Sequence, residues 1–172
     1  MTDNKTTLSR CIQYYTRTSF NHSSIALDFS LSHVYSFGRK EYFNPLNGGF
    51  VKENFYHSWF LQSNCKIYKF DISENQKHHI ERILENFEKN KYLYRYNFFG
   101  LISIPFNKNW GRENTFFCSQ FIAYLLEEIG VTLIEKPNYL ITPADLVLFL
   151  KPQLIYSGKV SDYLNKTTSI VG

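Results

Sequence analysis

The chain has 172 residues, 44% of them hydrophobic and 18% aromatic, with a formal net charge of +4. That suffices for one domain with a real core and is too apolar for disorder. No apolar run approaches the roughly 20 residues of a membrane span, MTDNKTTLSRC has no signal-peptide core, and Lys and Arg are scattered along the chain. These features argue against stable membrane insertion and a nucleic-acid partner, and a cytoplasmic location is expected.

In chain order, 6–17 predicts a first helix, with Leu8, Cys11, Ile12 and Tyr15 on one face. Ser23–Asp28 and Val34–Phe37 read as short strands joined by the turn-prone FSLS (29–32). The loop RKEYFNPLNGGF (39–50) carries strong breakers, and strands are expected at Phe50–Glu53 and Cys65–Ile72. Ser73 with Gln76 is a capping-box pattern opening a helix to about Asn90, with Ile80, Ile83, Leu84 and Phe87 buried.

An aromatic extended stretch (91–96) follows, then 97–105 with Gly100 and the polar loop NKNWGREN (107–114). A helix over 116–130 ends at Gly130, a C-cap, and Pro143 starts a short helix over 143–150. Leu154–Tyr156 reads as a last strand and the polar tail from about 161 as frayed. Strands and helices mix without a βαβ rhythm, so the expected class is α+β, one domain over 1–172.

Cys11, Cys65 and Cys118 are odd in number, far apart and form no CxxC pair, which argues against a disulfide framework and a zinc knuckle. No cofactor or metal is called for. Cys118 stands at a helix start, where unpaired N–H groups and the macrodipole favour thiolate. Ile122, Leu125 and Ile129 follow it on the core-facing stripe. His22, just before the first strand, is a candidate general base. A buried cysteine is equally well a small hydrophobe, and a lone histidine often has no chemical task. His78 and His79 read as solvated, His57 lies in an aromatic loop, and His33 stands one residue before the second strand.

The segments YYTRTSFNHSSIALD (14–28), VYSFGRK (34–40), NPLNGGFV (44–51), YNFFGLISI (96–104), FFCSQFIAYLL (116–126) and ITPADL (141–146) together resemble the circularly permuted NlpC/P60 papain-like cysteine hydrolases, a group that also looks like the lecithin:retinol acyltransferase-type proteins. The resemblance implies a permuted papain-like fold, an antiparallel sheet packed against the cysteine helix, with the histidine before the cysteine in sequence. It places the nucleophile at Cys118 and the base at His22, and puts a third polar residue in the second strand. Ser36 in that strand, or the nearby His33, is the candidate to orient the imidazole, and Tyr96 is a candidate to line the oxyanion pocket.

The implied chemistry is a Cys-His peptidase or amidase working through a thioester on peptide, amide or acyl-ester substrates. A thiol acyltransferase or lipase acting on lipid acyl groups is the alternative; an exposed apolar groove would favour it. A binding domain that keeps the fold without catalysis is the third reading. The aromatic-basic KNKYLYRYNFF (89–99) reads as strand and core ahead of a nucleic-acid platform.

Overall fold

Two segments, VYSFGR and GGFVKE, alternate so that one face of each is aromatic and the other small or polar. They pair as the centre of the fold. The structure is a computed structural model and describes residues 1–3, 20, 22–40, 47–97, 112–131 and 136–171. Strand β2 (Val34–Arg39) runs antiparallel to β3 (Gly48–Glu53), with Phe37 opposite Phe50, Ser36 opposite Val51 and Val34 opposite Glu53. Strand β1 (Ile25–Ala26) adds to the other edge of β2. It is shorter than the expected 23–28 because the Asp28 carboxylate accepts the amides of Ser32 and His33, both at 2.9 Å, and turns the chain there.

After a single helical turn, α1 (Ser58–Leu61), strand β4 (Asn64–Lys69) leads into α2 (Glu74–Lys89). The capping box forms as read: the Ser73 hydroxyl accepts from the Gln76 amide and the Gln76 side chain accepts from the Ser73 amide. Of the expected extended stretch over 91–96, only β5 (Arg95–Tyr96) is strand, parallel to β6 (Thr115–Phe116). Helix α3 (Cys118–Glu128) follows, and Gly130 ends it at φ 79°. A 3₁₀ turn (Asn138–Leu140) precedes α4 (Pro143–Leu150), capped by Thr142. Strand β7 (Gln153–Lys159) then pairs antiparallel with β4.

The tail differs from expectation. It forms α5 (Val160–Val171), because Val160, Tyr163 and Leu164 are buried against Val34, Phe55, Phe60 and Cys65. The helix expected over 6–17 lies outside the described residues, as does most of 97–114. The class is α+β, with small antiparallel sheets and helices. Phe37, fully buried, meets Phe50, Phe87, Tyr94, Phe116 and Phe121 at centroid distances of 4.9–6.2 Å, and so locks the aromatic face of β2 and β3 to α2 and α3. Such a cluster, with mixed edge and tilted rings, fixes where the first turn of α3 stands relative to the sheet. Among the described residues, no helix is long and apolar enough to cross a membrane.

Candidate active site

Cys118 is the first residue of α3, and its N-cap, Phe117, has no side-chain group to cap the first turn. The helix field is therefore available to a negative sulfur. Gln120 reaches back to the Phe117 amide, Oε1 to N 3.3 Å, and Ser119 donates to the Ile141 carbonyl at 2.6 Å. These two bonds fix the first turn between the sheet and α4.

His22 precedes β1 and is held through its main chain, whose carbonyl accepts the Thr2 amide at 3.0 Å. Its ring Nε2 lies 2.6 Å from Glu53 Oε1, and the Ser36 hydroxyl donates to that same oxygen at 2.6 Å. All three residues are buried. Strand register explains the meeting. Glu53 pairs with Val34 and Ser36 with Val51, so Glu53 and Ser36 are diagonal neighbours on one face of the hairpin. Gly38 leaves the ring its place: a Cβ there would stand 3.3 Å from Ser36 Oγ and 3.4 Å from His22 Cε1.

The thiol completes the group. Cys118 stands beside the His22 ring, the Ser23 amide and the Tyr96 hydroxyl, which act on its sulfur. With Nε2 engaged by Glu53, Nδ1 is the nitrogen left for the sulfur. Ser23 is buried, and its hydroxyl has no hydrogen-bond partner among the described residues.

The electrostatics follow from this placement. Burial pulls the His22 pKa down, but the Glu53 carboxylate and the bonds to Cys118 and Glu53 outweigh it, so the imidazole is pushed up to about 10. Burial pushes Glu53 up, yet the His22 charge, the His22 bond and the Ser36 bond bring it below the ordinary carboxyl value. Burial likewise pushes the Cys118 thiol up, and the bond to His22, its charge and the Ser23 amide bring it below the ordinary thiol value. Tyr96 is driven well above the ordinary phenol by burial and by the neighbouring Cys118, and stays a neutral donor. Cys65, also buried, is raised to about 11 and has no such partners.

Four of the residues singled out in the sequence, Cys118, His22, Ser36 and Tyr96, thus come together. Ser36 bonds the carboxylate behind the imidazole. His33 stands apart: it lies on an exposed turn with Nδ1 3.0 Å from Asp28 Oδ2. Glu53 was not legible as a site residue, because only register brings the end of β3 to the start of β1. Its signal was an acid two positions after Val51 on an otherwise buried strand face. Ser23 gave none beyond adjacency to His22.

Among the described residues, no cluster of three His, Cys, Asp or Glu side chains is arranged to hold a metal ion. No protein-family model, no curated protein and no solved structure matches the chain.

Proposed function

We propose that this protein is a thiol-dependent hydrolase, a cysteine peptidase or amidase on a permuted papain-like fold. Cys118 is the nucleophile, His22 the acid-base group and Glu53 the orienting carboxylate. The observation that carries the reading is the buried chain from Ser36 to Glu53 to His22, with the thiol bonded to the same imidazole. A raised imidazole beside a lowered thiol favours transfer of the thiol proton to His22, which generates the nucleophile.

The thiolate attacks the carbonyl carbon, and the carbonyl π electrons move onto oxygen. The Tyr96 hydroxyl, neutral and already turned to the sulfur, donates to that oxyanion. His22 gives its proton to the leaving amine or alcohol, the C–N or C–O bond breaks, and a thioester remains on Cys118. Acylation also removes the negative sulfur that helped hold the proton on His22, which lowers the imidazole pKa as a base is needed. Neutral His22 then takes a proton from water, hydroxide adds to the thioester, and the thiolate leaves. Glu53 keeps the ring in place and offsets its charge in both halves.

One observation favours the lipid-acyl alternative. A cavity of about 470 Å³ is lined by Ser23, the neighbour of His22, and by Ile25, Leu27, Ile80, Ile122 and Leu146, though Cys118 itself does not line it. That volume lies in the range of small-molecule sites, ~300–1,000 Å³.

The test is direct. Purified protein incubated with panels of activated amides, peptides and acyl esters should gain an acyl mass on Cys118 or release product. Cys118→Ala should do neither, and Glu53→Gln should slow adduct formation at least about tenfold. A wide panel giving no adduct and no product, with equal ligand binding by wild type and Cys118→Ala, would leave the non-catalytic reading.

A further inference from the structure

Beyond the reacting groups, the end of the β2–β3 hairpin gathers positive charge on the Tyr96 side of the site. Lys40 continues β2, its amide donating to the Asn47 carbonyl at 2.8 Å. Strand alternation therefore sets Lys40 on the same face as Ser36 and Gly38, about 7 Å past Gly38 along the strand. Gly49 lets the lysine lie flat: a Cβ at 49 would stand 2.8 Å from Lys40 Cε and 2.6 Å from the Tyr94 carbonyl oxygen. Lys40 Nζ reaches the Lys91 carbonyl at 3.4 Å, and Arg95 begins β5 directly before Tyr96.

None of Lys40, Lys91 and Arg95 forms a salt bridge with a described carboxylate, as is true of most described lysines; what sets the three apart is that they lie close enough to repel one another. Burial and the charges of Arg95 and Lys91 hold the Lys40 ammonium below the ordinary lysine value. Arg39, the last residue of β2 and on the strand's other face, adds a positive charge that acts on the Tyr96 hydroxyl. Gathering like charges is unfavourable, and an anion placed among them reverses the sign of that interaction.

We propose that Lys40, Lys91 and Arg95 form a subsite for an anionic group, a carboxylate or a phosphate, carried by the substrate of Cys118. This deepens the hydrolase reading and rests on it for the word substrate. The group is recognised as a charge on a flexible part of the substrate, since lysine ammoniums act as point charges and only Arg95 offers a planar fork.

Bromoacetyl reagents test it, with alkylation of Cys118 followed by peptide mapping. Bromoacetyl-glycinamide is neutral, bromoacetyl-glycine carries a carboxylate, and bromoacetyl-phosphoethanolamine a phosphate. At low salt each anionic reagent should label Cys118 at least about fivefold faster than the neutral one. The ratio should fall toward one in 0.5 M chloride, because the Debye length there is only a few ångströms. It should drop at least about threefold in Lys40→Gln/Arg95→Gln, and the anion with the larger ratio identifies the natural group. A ratio that the double variant leaves unchanged overturns the subsite and assigns the preference to the His22 charge.

A second readout does not need a reactive thiol. At matched ionic strength, inorganic phosphate or acetate should slow acetylation of Lys40 and Lys91 at least about threefold relative to chloride, and leave Lys52 and Lys166 unaffected. Uniform rates across all four lysines overturn the subsite. A thiol inert to every reagent, with Lys40 and Lys91 still protected, counts against the hydrolase reading alone.

Discussion

His22 is bonded on both sides of its ring and through its main chain, so it presents one nitrogen in one direction. The two thiols that share this interior therefore part ways. Cys118 has an imidazole, a hydroxyl and a helix start, while Cys65 has burial, which the Met1 ammonium only partly offsets. Limited alkylation with iodoacetamide should label Cys118 well ahead of Cys65, and its rate should rise through a midpoint below the ordinary thiol value of 9.0. His22→Ala should move that midpoint upward, and Glu53→Gln should move it in the same direction by a smaller amount. Equal labelling of the two cysteines would remove the thiol from the chemistry proposed for it.

The pair also makes a distinctive mark on stability. A histidine raised above its ordinary 6.5 contributes stability that is complete below that pH and lost as pH rises through about 10. A thiol lowered below 9.0 contributes stability that is present above 9.0 and lost as pH falls through its folded value. Between the folded thiol's lowered pKa and 9.0 the folded pair holds one proton, on His22, and the unfolded chain above pH 6.5 holds one, on the thiol. The two dependences cancel there. Cys118→Ala removes one of them, so its urea midpoint should fall from pH 6.5 to 8.5 while that of wild type stays nearly flat. A wild type that declines as steeply as the variant would mean the folded thiol is protonated. Glu53→Ala, which strands a buried imidazole, should cost about 3–5 kcal/mol at pH 6.

At the scale of elements, the cysteine helix is placed by aromatic packing more than by its own cap. Phe37 touches rings from β3, α2, β6 and α3, and has no exposed surface. Phe37→Ala should cost about 3–5 kcal/mol by urea unfolding, and should slow Cys118 alkylation as the first turn of α3 loses its seat. A variant with unchanged alkylation but lowered stability would show that the helix start is set by the Ser119 and Gln120 bonds instead.

Local signals were legible wherever the chemistry was local. Ser73 with Gln76, Pro143 and Gly130 each fixed an element end from side-chain hydrogen bonding or backbone freedom alone. The site divided along the same line. Cys118 and His22 were readable from their neighbours in sequence, but Glu53 depended on a pairing register that no single strand encodes. The tail reads as polar along the chain, and becomes helical because Val160, Tyr163 and Leu164 find a second apolar cluster that is distant in sequence.

At the scale of the whole molecule, two apolar clusters face each other across the cavity. Ile80, Ile122, Leu126 and Leu146 belong to one, and Leu31, Val34, Phe55 and Tyr163 to the other. Acyl-chain length, with the leaving group held constant, separates the two readings. If the cavity takes the acyl part, p-nitrophenyl esters should acylate Cys118 progressively faster from acetate to decanoate, and Ile122→Trp should abolish the trend. A peptidase or amidase with its acyl part elsewhere should show a flat series.

The β4–β7 pair joins residues 64–69 to 153–159, whereas His22, Ser36 and Glu53 come from one short, hairpin-centred stretch. Contacts between distant segments form late, because loop closure must precede the gain from pairing. The acid-base half of the site is thus assembled from near neighbours, and the sulfur joins it only when α3 docks. During refolding, then, Cys118 should first be alkylated at the rate of an ordinary cysteine, and any rise in that rate should come late and report the closing of the core.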